Sequence, residues 1–148
     1  MADTDLIKLY SGRILELASD IPLVGRLEAP DATVTARSPL CGSNVTVDVT
    51  VRDGKVTEFA QDVRACALGQ AAAAIVGAQV IGRTRDEIET ARDELAAMLD
   101  GGTAPQPPFD ALEVLIPARD FRNRHKSILL SLDATAEAMA KAERAACA

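Results

Sequence analysis

Residues 45–54 constrain the fold more than any other stretch of the chain. Val45, Val47, Val49 and Val51 alternate with Thr46, Asp48, Thr50 and Arg52. Successive side chains of an extended strand point to opposite faces, so this pattern makes one apolar face and one polar face. Asp53-Gly54 follows at once, a pair suited to the positive φ angles of a tight two-residue hairpin turn. Residues 55–63 are therefore expected to return antiparallel, with the broken alternation around Glu58 and Phe59 marking a β-bulge. A second period-two stretch lies upstream, where Ala32, Val34 and Ala36 alternate with Thr33, Thr35 and Arg37.

Helical spacing surrounds these strands. Leu6, Leu9, Tyr10, Ile14 and Leu17 recur at three- and four-residue steps over residues 5–17, which end near 20–22. Residues 68–81 carry Ala71 to Ala74, Ile75, Val76, Ala78 and Val80 with almost no charge, so that helix must be buried nearly all round, with Gly82 fitting its carboxyl cap. Thr84 and Glu87 have capping-box spacing ahead of the stripe Ile88, Ala91, Leu95 and Met98, and Gly101-Gly102 stops that helix. After a loop stiffened by Pro105, Pro107 and Pro108, Asp110 is read as the cap of a short helix reaching Ile116. A polar, basic stretch follows over 117–124. The last helix shows Ile128, Leu129, Leu132, Ala136, Met139 and Ala140 on one face, and its Ala-rich end, residues 142–148, is expected to fray. The expected fold is α+β, one domain over 1–148. A three-stranded antiparallel sheet is covered on one face by helices, with an N-terminal helix and a long C-terminal helix.

Composition excludes several function classes. With 48% apolar and 26% charged residues the chain is too hydrophobic for disorder, and it holds no apolar run of membrane-spanning length. A net charge of -6 argues against nucleic acid. The first residues lack the features of a secretory signal, so the expected compartment is the reducing cytoplasm, where the three cysteines are thiols or ligands rather than disulfides. Ser-His-Asp order, P-loop and dinucleotide glycine patterns are missing, which leaves hydrolysis and nucleotide binding without support.

Chemistry concentrates at three junctions. Cys41 sits in Pro39-Leu40-Cys41-Gly42-Ser43 between two strands, Cys66 stands between the last strand and the buried helix, and His125, the one histidine, opens the final helix. A thiol at a helix amino terminus faces unpaired backbone N–H groups, a setting that favours a ligand or nucleophile. Against this stands the reading of the cysteines as small core residues and of His125 as a solvated side chain. Cys147, in the tail, is left out of the site. Arg119, Arg122, Arg124 and Lys126 form a basic run, read either as a solvated face or as a dock for an acidic partner protein.

The Pro-x-Cys-Gly turn, the hairpin, a second Cys opening an Ala-rich buried helix and Arg124-His125-Lys126-Ser127 at the last helix together resemble the iron–sulfur cluster scaffold family of IscU, SufU and the NifU amino-terminal domain. The resemblance implies a SufE/NifU-like fold and a scaffold or carrier rather than an enzyme. It implies a site of Cys41, Cys66 and His125, binding a transient iron–sulfur cluster, iron or zinc. It also implies a cysteine desulfurase and cluster-acceptor proteins as partners, for a monomer or weak dimer. Ser43 stands where the family carries Asp, and Lys126 where it carries its third Cys. Two thiolates and one imidazole fall short of the four ligands of a two-iron cluster, which leaves a mononuclear ion or a cluster shared between two chains, and Lys126→Cys is expected to raise metal retention. A metal-free interaction or regulatory module of the same fold and a zinc-bearing sulfur-transfer accessory are the competing readings.

Overall fold

The computed structural model describes residues 12–39 and 42–147. Leu6, Leu9, Tyr10 and Cys41 thus lie outside the described residues. Helix α1 spans Gly12–Ala18 and buries Ile14. Strands β1 (Ala32–Arg37), β2 (Asn44–Arg52) and β3 (Lys55–Arg64) follow, then helices α2 (Ala67–Gln79) and α3 (Arg85–Leu99), a 3-10 helix over Asp110–Asp120, and α4 (Arg122–Cys147).

The strands form one antiparallel sheet in the order β1-β2-β3, as the alternation predicts. Asp53 and Gly54 take φ of 54° and 77°, the left-handed pair that a type I′ hairpin requires. The bulge falls beside the expected place: Thr50 pairs with Glu58 and Val51 with Val56, so Thr57 is the extra residue, and its hydroxyl donates to the Thr50 carbonyl at 3.2 Å.

Val45, Val47 and Val49 are fully buried beneath the helices. Helix α4 packs along β1 and β2 on one side and against α2 and α3 on the other. Being sandwiched, it buries more than the single expected face: Leu130, Ala134 and Ala138 are as deeply covered as Ile128 and Leu132. Ser127, Ser131 and Thr135 are buried as well. At four-residue steps they form a polar seam along the helix. Helix α2 is buried nearly all round, as its Ala-rich composition demands.

The polar face of β2 is not the solvent face that alternation alone suggests. Asp48 is fully buried and Thr50 nearly so, because the chain between α1 and β1 crosses over them. At the edge of β3 the Gln61 N–H donates to the Leu23 carbonyl at 3.0 Å and the Gly25 N–H to the Gln61 carbonyl at 2.9 Å. The segment then passes over the sheet, where Arg26 grips Asp48 through Nε at 2.7 Å and Nη2 at 3.1 Å. The Leu27 N–H at 3.0 Å and the Thr33 hydroxyl at 2.6 Å complete the set of donors to Asp48. Farther along the β3 edge, Val56 N–H donates to the Arg83 carbonyl and Gly82 N–H to the Val56 carbonyl.

Two helix ends differ from expectation. Helix α2 stops at Gln79 with Val80 as its cap; Gly82, at φ 87°, instead turns the chain onto the β3 edge. The segment after Asp110 winds as a 3-10 helix through Pro117 to Asp120, preceded by Phe109, with no side-chain cap bond. The capping box of α3 forms as predicted: Glu87 N–H donates to the Thr84 hydroxyl at 3.2 Å and Thr84 N–H to the Glu87 carboxylate at 3.0 Å. The Thr84 N–H, aided by Arg83, holds the Glu87 carboxyl below its ordinary range against a smaller opposing effect of burial. Thr84→Ala is expected to cost about 1 kcal/mol, read as a lower urea midpoint; an unchanged midpoint would show that the box contributes nothing.

Candidate functional site

Arg37, Asn44 and Arg64 stand in one row across the end of the sheet. The β1–β2 connection, in which Cys41 falls, and the β3–α2 step at Cys66 therefore leave the same end. The Ser38 N–H donates to the Ser43 carbonyl at 2.8 Å and the Gly42 N–H to the Ser38 carbonyl at 3.0 Å, which closes the connection. Gly42 takes φ 72°, a conformation open to glycine at little cost.

Cys66 is the N-cap of α2 in extended conformation, and its side chain makes no cap hydrogen bond. The half-buried sulfur lies instead 3.5 Å from the Ser127 hydroxyl, which donates to the Ser43 hydroxyl at 3.0 Å. Ser43 and Ser127 are both buried. Gly69, one turn into α2, makes room for this approach: a Cβ there would lie 2.7 Å from the Ser127 Oγ and 3.1 Å from the Ser127 carbonyl oxygen.

Lys126 and His125 sit differently. The Lys126 ammonium pairs with Asp133 at 2.9 Å on the exposed side of α4, so the residue of α4 beside Cys66 is Ser127, one step beyond the expected position. The His125 Nε2 lies 3.1 Å and 2.9 Å from the Ala118 and Arg119 carbonyl oxygens. Carbonyls only accept, so Nε2 carries the hydrogen. At about 100° per helical residue, His125 and Ser127 leave α4 on nearly opposite sides. Among the described residues no group of three or more His, Cys, Asp and Glu side chains gathers at metal-binding spacing.

The basic run divides. Arg119 turns inward and caps the carboxyl end of α3 by donating to the Met98 and Gly102 carbonyls, where a cation also meets the negative end of the helix dipole. Arg122 faces Asp100 at 3.6 Å in solvent. Ser127 is the residue that sequence reasoning passed over as a site residue. A signal for it was present, since Ser127, Ser131 and Thr135 repeat at the spacing of a single helix face amid apolar neighbours.

A three-stranded antiparallel sheet with helices stacked on one face and a cysteine capping the first of them places the chain in a defined class. It matches the NifU-like N terminal domain family over residues 9–115 and belongs to that family. Cys66 falls inside this stretch, whereas residues 125–127 lie beyond it. The crystal structure of the N-terminal part of a NifU-like protein from Brucella abortus is similar with a TM-score of 0.91 and 44% identity, over 95% of this chain and 98% of that one. The iron–sulfur cluster assembly scaffold protein IscU of Thermotoga maritima is 26% identical over 138 residues, 92% of this chain and 96% of its own length. A SufU from Fervidobacterium islandicum AW-1, described as a candidate scaffold of the SUF system, shares the fold with a TM-score of 0.81 at 20% identity, over 90% of this chain and 98% of that one.

Proposed function

We propose that this chain is a cytoplasmic iron–sulfur cluster assembly scaffold that receives sulfur from a cysteine desulfurase and passes its cargo to acceptor proteins. The carrying observation is the sulfur of Cys66, set at the amino end of a buried helix and free of any cap bond, at the end of the sheet from which the Cys41 connection also leaves. Family membership supports the reading. Cys41 and Cys66 supply the thiolates, and His125, which leaves α4 on the side away from Ser127 and lies against the Ala118 and Arg119 carbonyls, is not counted among the ligands. Two thiolates per chain suit a cluster shared by two copies, which together provide the four sulfur ligands that a two-iron cluster takes.

The test is anaerobic loading with ferrous iron and sulfide, followed by metal analysis, the visible spectrum and the mass of the loaded species. A thiolate-to-iron band on a dimer is expected from the native chain. Cys66→Ala and Cys41→Ala should each lower iron retention by about tenfold or more, since even residues behind the ligands cost about that much. Iron retention equal to native in both variants would overturn the thiolate pair. Stoichiometric zinc in place of iron would instead support the zinc-bearing sulfur-transfer accessory.

A further inference from the structure

We infer that the outer edge of β1 is a docking site for an extended segment of a partner protein, which adds to the sheet as a fourth strand and carries an acidic side chain near each end. The inference goes beyond the scaffold reading and does not depend on what the site at Cys66 carries. Main-chain direction alternates along an antiparallel strand. The Ser38 N–H donates to the Ser43 carbonyl at 2.8 Å, one step past the Arg37–Asn44 pair. Ser38, Ala36 and Val34 therefore turn their main-chain groups toward β2, and Arg37, Thr35 and Thr33 turn theirs outward. The Thr33 carbonyl accepts from the Lys141 ammonium at 3.1 Å, in keeping with that direction. Thr35 and Arg37 are exposed, and nothing among the described residues bonds to their outward N–H and C=O groups. On β3 the edge is taken by residues 23–25 and 82–83, so β1 is the side on which the sheet can grow.

Space and charge then select the occupant. An added strand sends alternate side chains to the two faces of the sheet. On the helix side they meet a cleft of about 500 Å³ floored by Ala36, Ala136 and Ala140, small residues that leave room for valine-sized chains. Most charges around it are already matched: Lys126 pairs with Asp133, Glu89 with Arg85 and Arg92 with Asp93. Glu137 also borders the cleft and has no ion-pair partner among the described residues, which favours neutral side chains at the middle of the segment. Arg37 at one end of the edge and Lys141 at the other likewise have no ion-pair partner among the described residues, so an acidic residue near each end of the segment meets a cation, Lys141 exchanging the Thr33 carbonyl for a carboxylate. A second copy of this chain fits poorly. Paired antiparallel about Thr35, β1 of one copy sets Arg37 across from Thr33 of the other, beside Lys141, and like charges placed across strands repel.

The test titrates the isotopically labelled full-length chain with the blocked peptide Ser-Glu-Val-Thr-Val-Glu-Ser and follows amide shifts and hydrogen exchange. Saturable shifts centred on Thr35 and Arg37, with slower exchange of those two amides, are expected. The same peptide with lysine in place of both glutamates should bind about tenfold more weakly, and Arg37→Glu should narrow or reverse that preference. Thr35→Pro removes an outward N–H at an edge position, where proline is tolerated, and should abolish binding while the amide spectrum away from β1 is kept. N-methylation of the peptide's central threonine, whose N–H faces β1, should abolish binding with the protein unaltered. Equal affinity for the acidic and basic peptides, shifts centred elsewhere, or no binding at millimolar peptide overturns the proposal. A chain that is dimeric without peptide and already protects the Thr35 and Arg37 amides assigns the edge to a second copy and overturns the partner. None of these readouts involves metal, so loss of the scaffold reading leaves the docking site standing, and the reverse.

Discussion

Asp48→Ala is expected to destabilise the protein by about 3–4 kcal/mol, the range for leaving a buried pair half-made, which lowers the melting midpoint of a chain this size by about 10 °C. The carboxylate is fully buried and receives four hydrogen bonds, two from Arg26 and one each from the Leu27 N–H and Thr33 hydroxyl. Its removal leaves the Leu27 N–H and the Thr33 hydroxyl without their acceptor and releases the segment that crosses the polar face of the sheet. The Arg26 side chain is itself 57% exposed, so water takes up part of its loss, which places the estimate toward the lower end of the range for buried pairs. A midpoint fall under about 3 °C would show that the crossing segment is held by other contacts.

The same residue gives stability a pH dependence of definite sign. Burial is the largest single influence on the Asp48 carboxyl and pushes its pKa up, but the bonds from Arg26, Thr33 and Leu27, with the charge of Arg26, together outweigh it and leave the pKa lowered. A carboxyl whose folded value lies below its unfolded value of about 3.9 stabilises the fold fully above that pH and loses the contribution as pH falls through the lower folded value. Stability should therefore decline below about pH 4 in the native chain, and Asp48→Asn should flatten the decline. Parallel acid curves for the two proteins would assign the loss to other carboxylates.

Gly77→Ala is expected to destabilise by about 2–3 kcal/mol, against the gain of about 1 kcal/mol that helix propensity alone predicts for replacing a helical glycine. A Cβ at this position would stand 2.7 Å from the Gln61 Nε2, 3.1 Å from the Pro22 Cγ and 3.2 Å from the Pro22 carbonyl oxygen. The Gln61 amide cannot retreat cheaply: it is fully buried and donates to the Pro22 and Ala73 carbonyls at 3.2 Å and 3.0 Å. Displacing it leaves buried donors and acceptors unpaired. Gly12, where an added Cβ meets nothing within 4 Å, is the control, and Gly12→Ala should leave the urea midpoint level or slightly raised. A Gly77→Ala protein as stable as the native one would show that the sheet and α2 can separate without loss.

Features set by neighbouring residues could be read from the sequence. The valine alternation, the Asp53-Gly54 turn and the Thr84–Glu87 box are local, and each took the expected form. Features set by distant partners could not. Nothing near Asp48 announces that Arg26 and Leu27 will cross above it, since the crossing segment has no period of its own. The wide burial of α4 arises because two layers pack against it, which a single apolar stripe does not reveal. At the site, Cys66 could be singled out from its place before an Ala-rich helix. The side chain of α4 that meets it depends on the rotation of that helix by one residue, about 100°, and a short motif read as letters leaves that rotation open.

The backbone of residues 23–25 and the Gly82–Arg83 turn lie along the outer rim of β3 and occupy its hydrogen-bonding groups at both ends. An exposed rim is where sheets from separate molecules fuse edge to edge, and on the β3 side that route is closed at Val56 and Gln61. Two copies that met over a shared cluster, as proposed above, would therefore not approach through these positions of β3.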